Sequence, residues 1–188
     1  MSHFQKNKLL HECIEKQVIK DSNKIAVIYR GAKKSYKEIW NDINNLKDVI
    51  MTNLPEQSRV GLMVDNSYES IVCMYSIFLA GLTCVPIDTD MSQKNLLYIF
   101  KDASIRLLIL NKKYHSKIQN IQNQFDFRIV LIEHDKNRNC NSINEVLSKK
   151  NKNIVSPGFV DFKNDSTAVI LYTTGTTGRQ KGVMLSHN

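Results

Sequence analysis

The residues best able to do chemistry lie between Leu171 and His187, in the order Leu-Tyr-Thr-Thr-Gly-Thr-Thr-Gly-Arg-Gln-Lys-Gly-Val-Met-Leu-Ser-His. Three of the seven glycines fall here, Gly175, Gly178 and Gly182, set among Thr173, Thr174, Thr176 and Thr177. Glycine lets a backbone approach a ligand closely and takes up positive φ at no steric cost. Successive N–H groups in such a run form a concave anion nest. Threonine hydroxyls add donors and Lys181 adds a full positive charge, so the segment suits the phosphates of a nucleotide. It is not a Walker A loop, which needs Gly-Lys-Ser/Thr; here Gln180 precedes Lys181 and Gly182 follows it. The dinucleotide fingerprint is also absent. Val183-Met184-Leu185 reads as a short strand, so the loop is expected to join two strands with no helix dipole aimed at the ligand. Ser186 could cap a helix beginning at the chain end.

The elements that must position this loop alternate along the chain. An amphipathic helix is expected over Leu9 to Ile19, a strand over Ile25 to Tyr29, and a turn at Gly31. Ser35 with Glu38 makes a capping-box pattern, and Ile39, Ile43, Leu46 and Ile50 come after it at helical spacing. Val60 to Val64 reads as a strand. Asn66 with Glu69 resembles a second cap, opening a nearly all-apolar helix to Ala80, which is expected to be buried. Thr83 to Ile87 is a strand, and Ser92 caps a helix carrying Leu96, Leu97, Ile99 and Phe100. Further strands are expected at Leu107 to Leu110 and Ile129 to Ile132, around a helix near residues 114–122. A short helix is expected at Ile143 to Leu147, and a last strand at Thr167 to Tyr172. Strands alternating with helices give an α/β fold, a layered and largely parallel sheet with flanking helices. No internal repeat and no linker divides the chain, so residues 1–188 are expected to form part of a single domain.

Composition limits the function classes. With 42% hydrophobic and 23% charged residues the chain can fill a core. Cys13, Cys73, Cys84 and Cys140 are far apart, so a zinc cage is not expected. Cys73 and Cys84 lie in apolar runs and read as buried thiols. The absence of a secretory signal makes a reducing cytoplasm the default location. The net charge is +8. Residues 101–153 hold 11 Lys or Arg against 5 Asp or Glu, which is 11 − 5 = +6 of it. That region lacks interleaved aromatics or a nucleic-acid module signature, so it reads as a solvated basic face and not a nucleic-acid site. Residues 70–87 are uncharged, long enough to raise the question of a membrane span. Gly81 ends a helix and Pro86 breaks one, so a buried helix, a turn and a buried strand explain the run better.

The glycine loop resembles the phosphate-loop signature of the adenylate-forming (AMP-binding) superfamily. That group includes acyl-CoA synthetases, amino-acid adenylation domains of peptide synthetases and luciferase-like enzymes. Its pattern runs aromatic, Ser/Thr-rich, Gly-Thr-Thr-Gly, any residue, Pro, Lys, Gly, and Tyr172 to Gly182 fit it with Gln180 in place of the proline. Ser35-Tyr-Lys-Glu-Ile39 resembles the family's early Thr-Tyr-x-Glu-Leu element. Leu79-Ala-Gly-Leu-Thr-Cys-Val-Pro-Ile-Asp88 resembles its Lys-Ala-Gly-x-x-Tyr-Val-Pro-Ile-Asp element, and Asp102-Ala-Ser echoes its next helix. The resemblance implies a two-step ligase. A carboxylate attacks the α-phosphorus of ATP to give an acyl-adenylate and pyrophosphate; a thiol, of coenzyme A or of a phosphopantetheine carrier protein, then takes the acyl group. By resemblance Thr173, Thr174, Gly175, Thr176, Thr177, Gly178 and Lys181 hold the β- and γ-phosphates, and Thr176 or Thr177 helps orient Mg²⁺. The adenine site, the carboxylate pocket and the adenylation lysine belong further along a longer chain. On that reading the chain is the N-terminal part of an AMP-dependent ligase domain, cut after the phosphate loop and inactive alone. A fatty or other organic acid is the expected carboxylate, with an amino acid as the alternative.

Other readings stand beside this one. A different P-loop phosphotransferase is disfavoured by the missing Ser/Thr after Lys181, and a catalytically silent module that binds a partner predicts no nucleotide binding. Asp88 reads as a turn residue after Pro86, Trp40 as packing beside Ile39 and Ile43, and His115 and His134 as surface residues. His187 either lines a site or sits near a helix start.

Overall fold

The computed structural model describes residues 9–51, 54–132, 141–142, 165–174 and 180–187. Helix α1 (Glu12–Asp21) leads into the hairpin β1 (Ile25–Tyr29) and β2 (Ala32–Ser35), then α2 (Tyr36–Met51). Next come strand β3 (Arg59–Met63), helix α3 (Tyr68–Leu79), strand β4 (Thr83–Pro86), helix α4 (Gln93–Ala103) and strand β5 (Leu107–Leu110). A short 3₁₀ turn precedes α5 (His115–Gln122), and β6 (Arg128–Leu131), β7 (Asn141–Ser142), β8 (Thr167–Thr174) and β9 (Gln180–Ser186) complete the order. Among the described residues, seven strands form one sheet in the order β7-β6-β5-β3-β4-β8-β9. Every neighbouring pair is parallel except β8 with β9, which are antiparallel at one edge. The expected largely parallel sheet is therefore present, with one antiparallel edge strand.

The sheet separates two cores. Leu107 and Ile109 face the first, with Val60, Leu62 and the α2–α3 residues Ile43, Leu46, Ile50, Val72 and Ile77. Leu108 and Leu110 face the second, with Met63, Val85 and the α4–α5 residues Leu96, Ile99, Phe100, Ile118 and Ile121. Side chains alternate faces along a strand, so a strand buried on both sides reads as an unbroken apolar run. Close packing at the sheet centre uses Gly61, where a Cβ would lie 2.9 Å from Leu108 Cδ1. Both thiols read as buried are so: Cys73 and Cys84 are fully covered, and burial pushes the Cys84 thiol up to about 12. The apolar run at 70–87 resolves into α3, a turn with Gly81 at φ +68° and β4. No helix among the described residues is long and apolar enough to cross a membrane.

Several boundaries move for local physical reasons. Helix α3 is capped one residue later than Asn66 predicts: Ser67 is extended, its hydroxyl accepts from Ser70 N at 3.2 Å, and Ser70 Oγ accepts from Ser67 N at 3.1 Å. The box at α2 forms as expected, with Ser35 N donating to Glu38 Oε2 at 2.8 Å and Glu38 N donating to Ser35 Oγ at 3.3 Å. Ser92 caps α4 as expected. Helix α1 starts at Glu12, because Leu9 to His11 form a turn before it. Strand β2 has no expected counterpart, since Ala-Lys-Lys-Ser carries no alternating apolar signal. Arg30 and Gly31, both at positive φ, join Tyr29 to Ala32 as the two-residue loop that hairpins favour. The helix expected at Ile143 to Leu147 lies outside the described residues, as do Cys140 and His134.

Candidate functional site

The chemistry-bearing segment is the β8–β9 hairpin. Its two stems pair in register from Val169 opposite Leu185 to Thr174 opposite Gln180. The expectation of a loop between two strands holds, and β9 is longer than the expected strand at Val183 to Leu185, running from Gln180 to Ser186. Gly175, Thr176, Thr177 and Gly178 lie in the connection at 175–179, outside the described residues. Thr174 ends β8, and only its backbone is described.

Cross-strand partners in an antiparallel pair point to the same face. Thr173 stands opposite Lys181, and both are exposed. A hydroxyl and an ammonium are thereby held side by side at the mouth of the connection, a pair that can neutralise and hydrogen-bond an anion. Tyr172 stands opposite Gly182 on the other face. A Cβ at Gly182 would lie 3.1 Å from the Tyr172 ring and from Ile170 Cγ2, so the residue after the lysine must be small for the ring to lie across the stem. The Tyr172 hydroxyl donates to Asp102 Oδ2 on the last turn of α4. Burial, and then Asp102, raise the phenol above its ordinary pKa. Tyr98 of α4 meets the Tyr172 ring edge-on at 6.4 Å. Gln180, at the position where the resemblance expects proline, is buried, only 8% exposed.

His187 closes the far end of β9. It is buried against Phe78 of α3, with ring centroids 5.6 Å apart, and its Nδ1 accepts from Leu10 N at 3.4 Å. It therefore anchors the N-terminal turn. His11 is 6.4 Å from it, also buried. Sequence reasoning missed this contact and the Tyr172–Asp102 contact, because no local pattern links residues so far apart. Asp88 is the expected turn residue, with Oδ1 accepting from Asp90 N at 2.9 Å. Trp40 packs against the first core as expected. Among the described residues no group of three or more His, Cys, Asp or Glu could hold a metal ion. Thr176 and Thr177, the residues named for Mg²⁺, are outside them.

Comparison with known proteins fits this geometry. The model of the family described as AMP-binding enzyme matches residues 14–188. Gramicidin S synthase 2 of Aneurinibacillus migulanus is 34% identical over 188 residues, covering 98% of this chain and 4% of that protein. Gramicidin S synthase 1 of Brevibacillus brevis is 27% identical, covering 99% and 16%. Among solved structures, the anthranilate CoA ligase AuaEII in complex with anthranoyl-AMP superposes with a TM-score of 0.85 at 20% identity, over 96% of this chain and 35% of that one. ATP-bound MatB from Rhodopseudomonas palustris gives 0.78 at 25% identity, over 96% and 35%. The chain thus spans a small part of these curated relatives and about a third of the solved ligases.

Proposed function

This chain belongs to the AMP-binding enzyme family, and from that premise we propose that it serves carboxylate activation by ATP, with the β8–β9 hairpin holding the β- and γ-phosphates. The observation that carries the proposal is the Thr173–Lys181 pair at the mouth of the glycine-rich connection. As a carboxylate oxygen bonds to the α-phosphorus, the bond to the bridging oxygen breaks and pyrophosphate leaves with its charge. Lys181 and the Thr173 hydroxyl sit where they offset that charge, which lowers the barrier and holds the leaving group in line. Thr174, Gly175, Thr176, Thr177 and Gly178 complete the cradle in this proposal. Mg²⁺ is expected to accompany the nucleotide and screen its charge, with Thr176 or Thr177 as its candidate contacts. A thiol then takes the acyl group and releases AMP. The gramicidin S synthases support an amino acid as the carboxylate and a phosphopantetheine carrier protein as the acceptor. Coenzyme A and an organic or fatty acid are the second reading, resting on the loop's resemblance to acyl-CoA synthetases.

The test uses the complete gene product with ATP, labelled pyrophosphate and a panel of amino and fatty acids. Label is expected to enter ATP only with the cognate carboxylate, and Lys181→Ala is expected to lower that exchange about ten- to a hundredfold, the loss of one charge-assisted phosphate contact of about 1.5–3 kcal/mol. Release of ADP and phosphate, or exchange that ignores Lys181, would overturn the proposal.

A further inference from the structure

Among the described residues the phosphate hairpin is an edge element: β9 has one strand neighbour there, and residues Lys181 to Ser186 are exposed. β8 is held to the sheet where it pairs with β4 at Cys84 and Val169, and a strand pair that runs on past such a rung twists easily, so a further contact near the mouth bears on the direction in which it points. One helix meets the hairpin on the face opposite Lys181. Tyr172, next to Thr173 in β8, lays its ring across Gly182, next to Lys181 in β9. The ring therefore spans both stems at the rung adjacent to the phosphate pair. Its hydroxyl ends on Asp102, 70 residues earlier in the sequence, and Tyr98 of the same helix packs edge-on against it. Asp102 is exposed and lies outside the two hydrophobic cores. Its carboxylate is not needed to bury α4, which Leu96, Ile99, Phe100 and Ala103 accomplish on the other side of the helix.

We propose that Asp102 is a positioning residue for the phosphate-binding hairpin: through the Tyr172 hydroxyl it sets the orientation of Thr173 and Lys181 relative to the sheet. Asp102 does not touch the nucleotide. It fixes the ring, the ring fixes the rung at Gly182, and that rung fixes its neighbour. The proposal rests on the phosphate-binding reading of the hairpin.

The test uses the complete gene product with inorganic tripolyphosphate as the probe, read by calorimetry, and with amide hydrogen exchange over residues 171–183 in the absence of ligand. Asp102→Ala and Tyr172→Phe are each expected to weaken tripolyphosphate binding about three- to tenfold, as loss of one partly exposed hydrogen bond allows. Each is also expected to speed exchange in the two stems while leaving α5 and β5 unchanged. The double variant is expected to be no worse than either single variant, because both remove one interaction. Asp102→Asn, whose amide oxygen still accepts, is expected to restore most of the affinity. Additive effects of the two substitutions, or wild-type affinity in Asp102→Ala, would overturn the role of Asp102 while leaving the hairpin a phosphate site. Failure of the wild-type chain to bind tripolyphosphate at all would sink the phosphate reading and the role of Asp102 together.

Discussion

Gln180 is the residue at which this chain departs from the pattern its loop otherwise matches. It is buried, and it is the first residue of β9, opposite Thr174. Proline is tolerated at the start of a strand, where a missing N–H costs least. Its fixed φ also lowers the entropy of the unfolded chain by about 0.4–1 kcal/mol where the backbone suits it. Gln180→Pro is therefore expected to leave the melting temperature unchanged or to raise it by a few degrees. A large drop would mean that the amide N–H of residue 180 is an essential donor and that this stem takes a path of its own. Gly182 is the opposite case. A Cβ there would lie 3.1 Å from the Tyr172 ring, so Gly182→Ala makes the ring give by a few tenths of an ångström. It is expected to weaken tripolyphosphate binding as Tyr172→Phe does, a comparison that calorimetry on the two variants makes directly.

The elements divide into those whose own sequence announces them and those that only a neighbour explains. Strand β5 is legible because a strand covered on both faces has to be apolar throughout, and Leu107-Leu-Ile-Leu110 is that and nothing else; β3 and β6 are apolar after their opening arginines, Arg59 and Arg128. Helices α2 and α4 are legible from spacing and caps together. Strand β2 is not, because it is held by its hairpin loop and by backbone pairing, with Lys33 and Lys34 on a largely solvated ribbon. Of the site, the glycines, threonines and lysine are legible from type and spacing. The supports behind them, Asp102 under Tyr172 and Leu10 over His187, join positions 70 and 177 residues apart and leave no local trace. Strand β9, paired on one side only among the described residues, carries the cost of its position. Val183, Met184 and Leu185 are 48%, 62% and 43% exposed along its edge, and an apolar strand edge is a template for pairing with another chain. Met184→Lys is expected to reduce concentration-dependent self-association in size-exclusion chromatography. It should change folding stability by less than about 0.5 kcal/mol, the usual range for an exposed site. Equal elution profiles for variant and wild type would show that this edge does not drive association.

At the largest scale, buried histidines tie the turn before α1 to the residue after β9. His187 comes directly after β9, His11 precedes α1, and the turn at Leu10 donates to His187 Nδ1. Burial, and then the nearby His187, lower the His11 pKa from 6.5 to about 4, with Glu12 acting weakly in the other direction. Burial lowers His187 as well. An imidazole depressed in the folded state is protonated first in the unfolded one, so its contribution is present in full above pH 6.5. It is lost as pH falls from 6.5 towards 4, and flattens below that. Urea unfolding at pH 7 and pH 5 is expected to show a clear fall in midpoint for the wild type and a smaller one for His11→Asn. Superimposable pH profiles for the two would show that His11 has no part in the pH response.

Strand β8 reaches its place beside β4 late. The pairing of Cys84 with Val169 closes a stretch of 169 − 84 = 85 residues. At about 5–20 residues per second, synthesis of that stretch takes on the order of 4–17 s. During that time β5 and β6 are themselves still being made, and the flank of β4 that β8 will occupy has no partner. Its defence is written into its own four residues, Thr83–Pro86: the strand is short, and its last residue has no N–H to offer an intruder. When β8 does arrive, the Thr83 hydroxyl donates to Thr167 O at 3.0 Å, a bond available to the right newcomer at the first residue of its strand. The order of synthesis thus gives Pro86 and Thr83 separate duties in time, one guarding the vacant flank and the other greeting the strand that carries the phosphate loop.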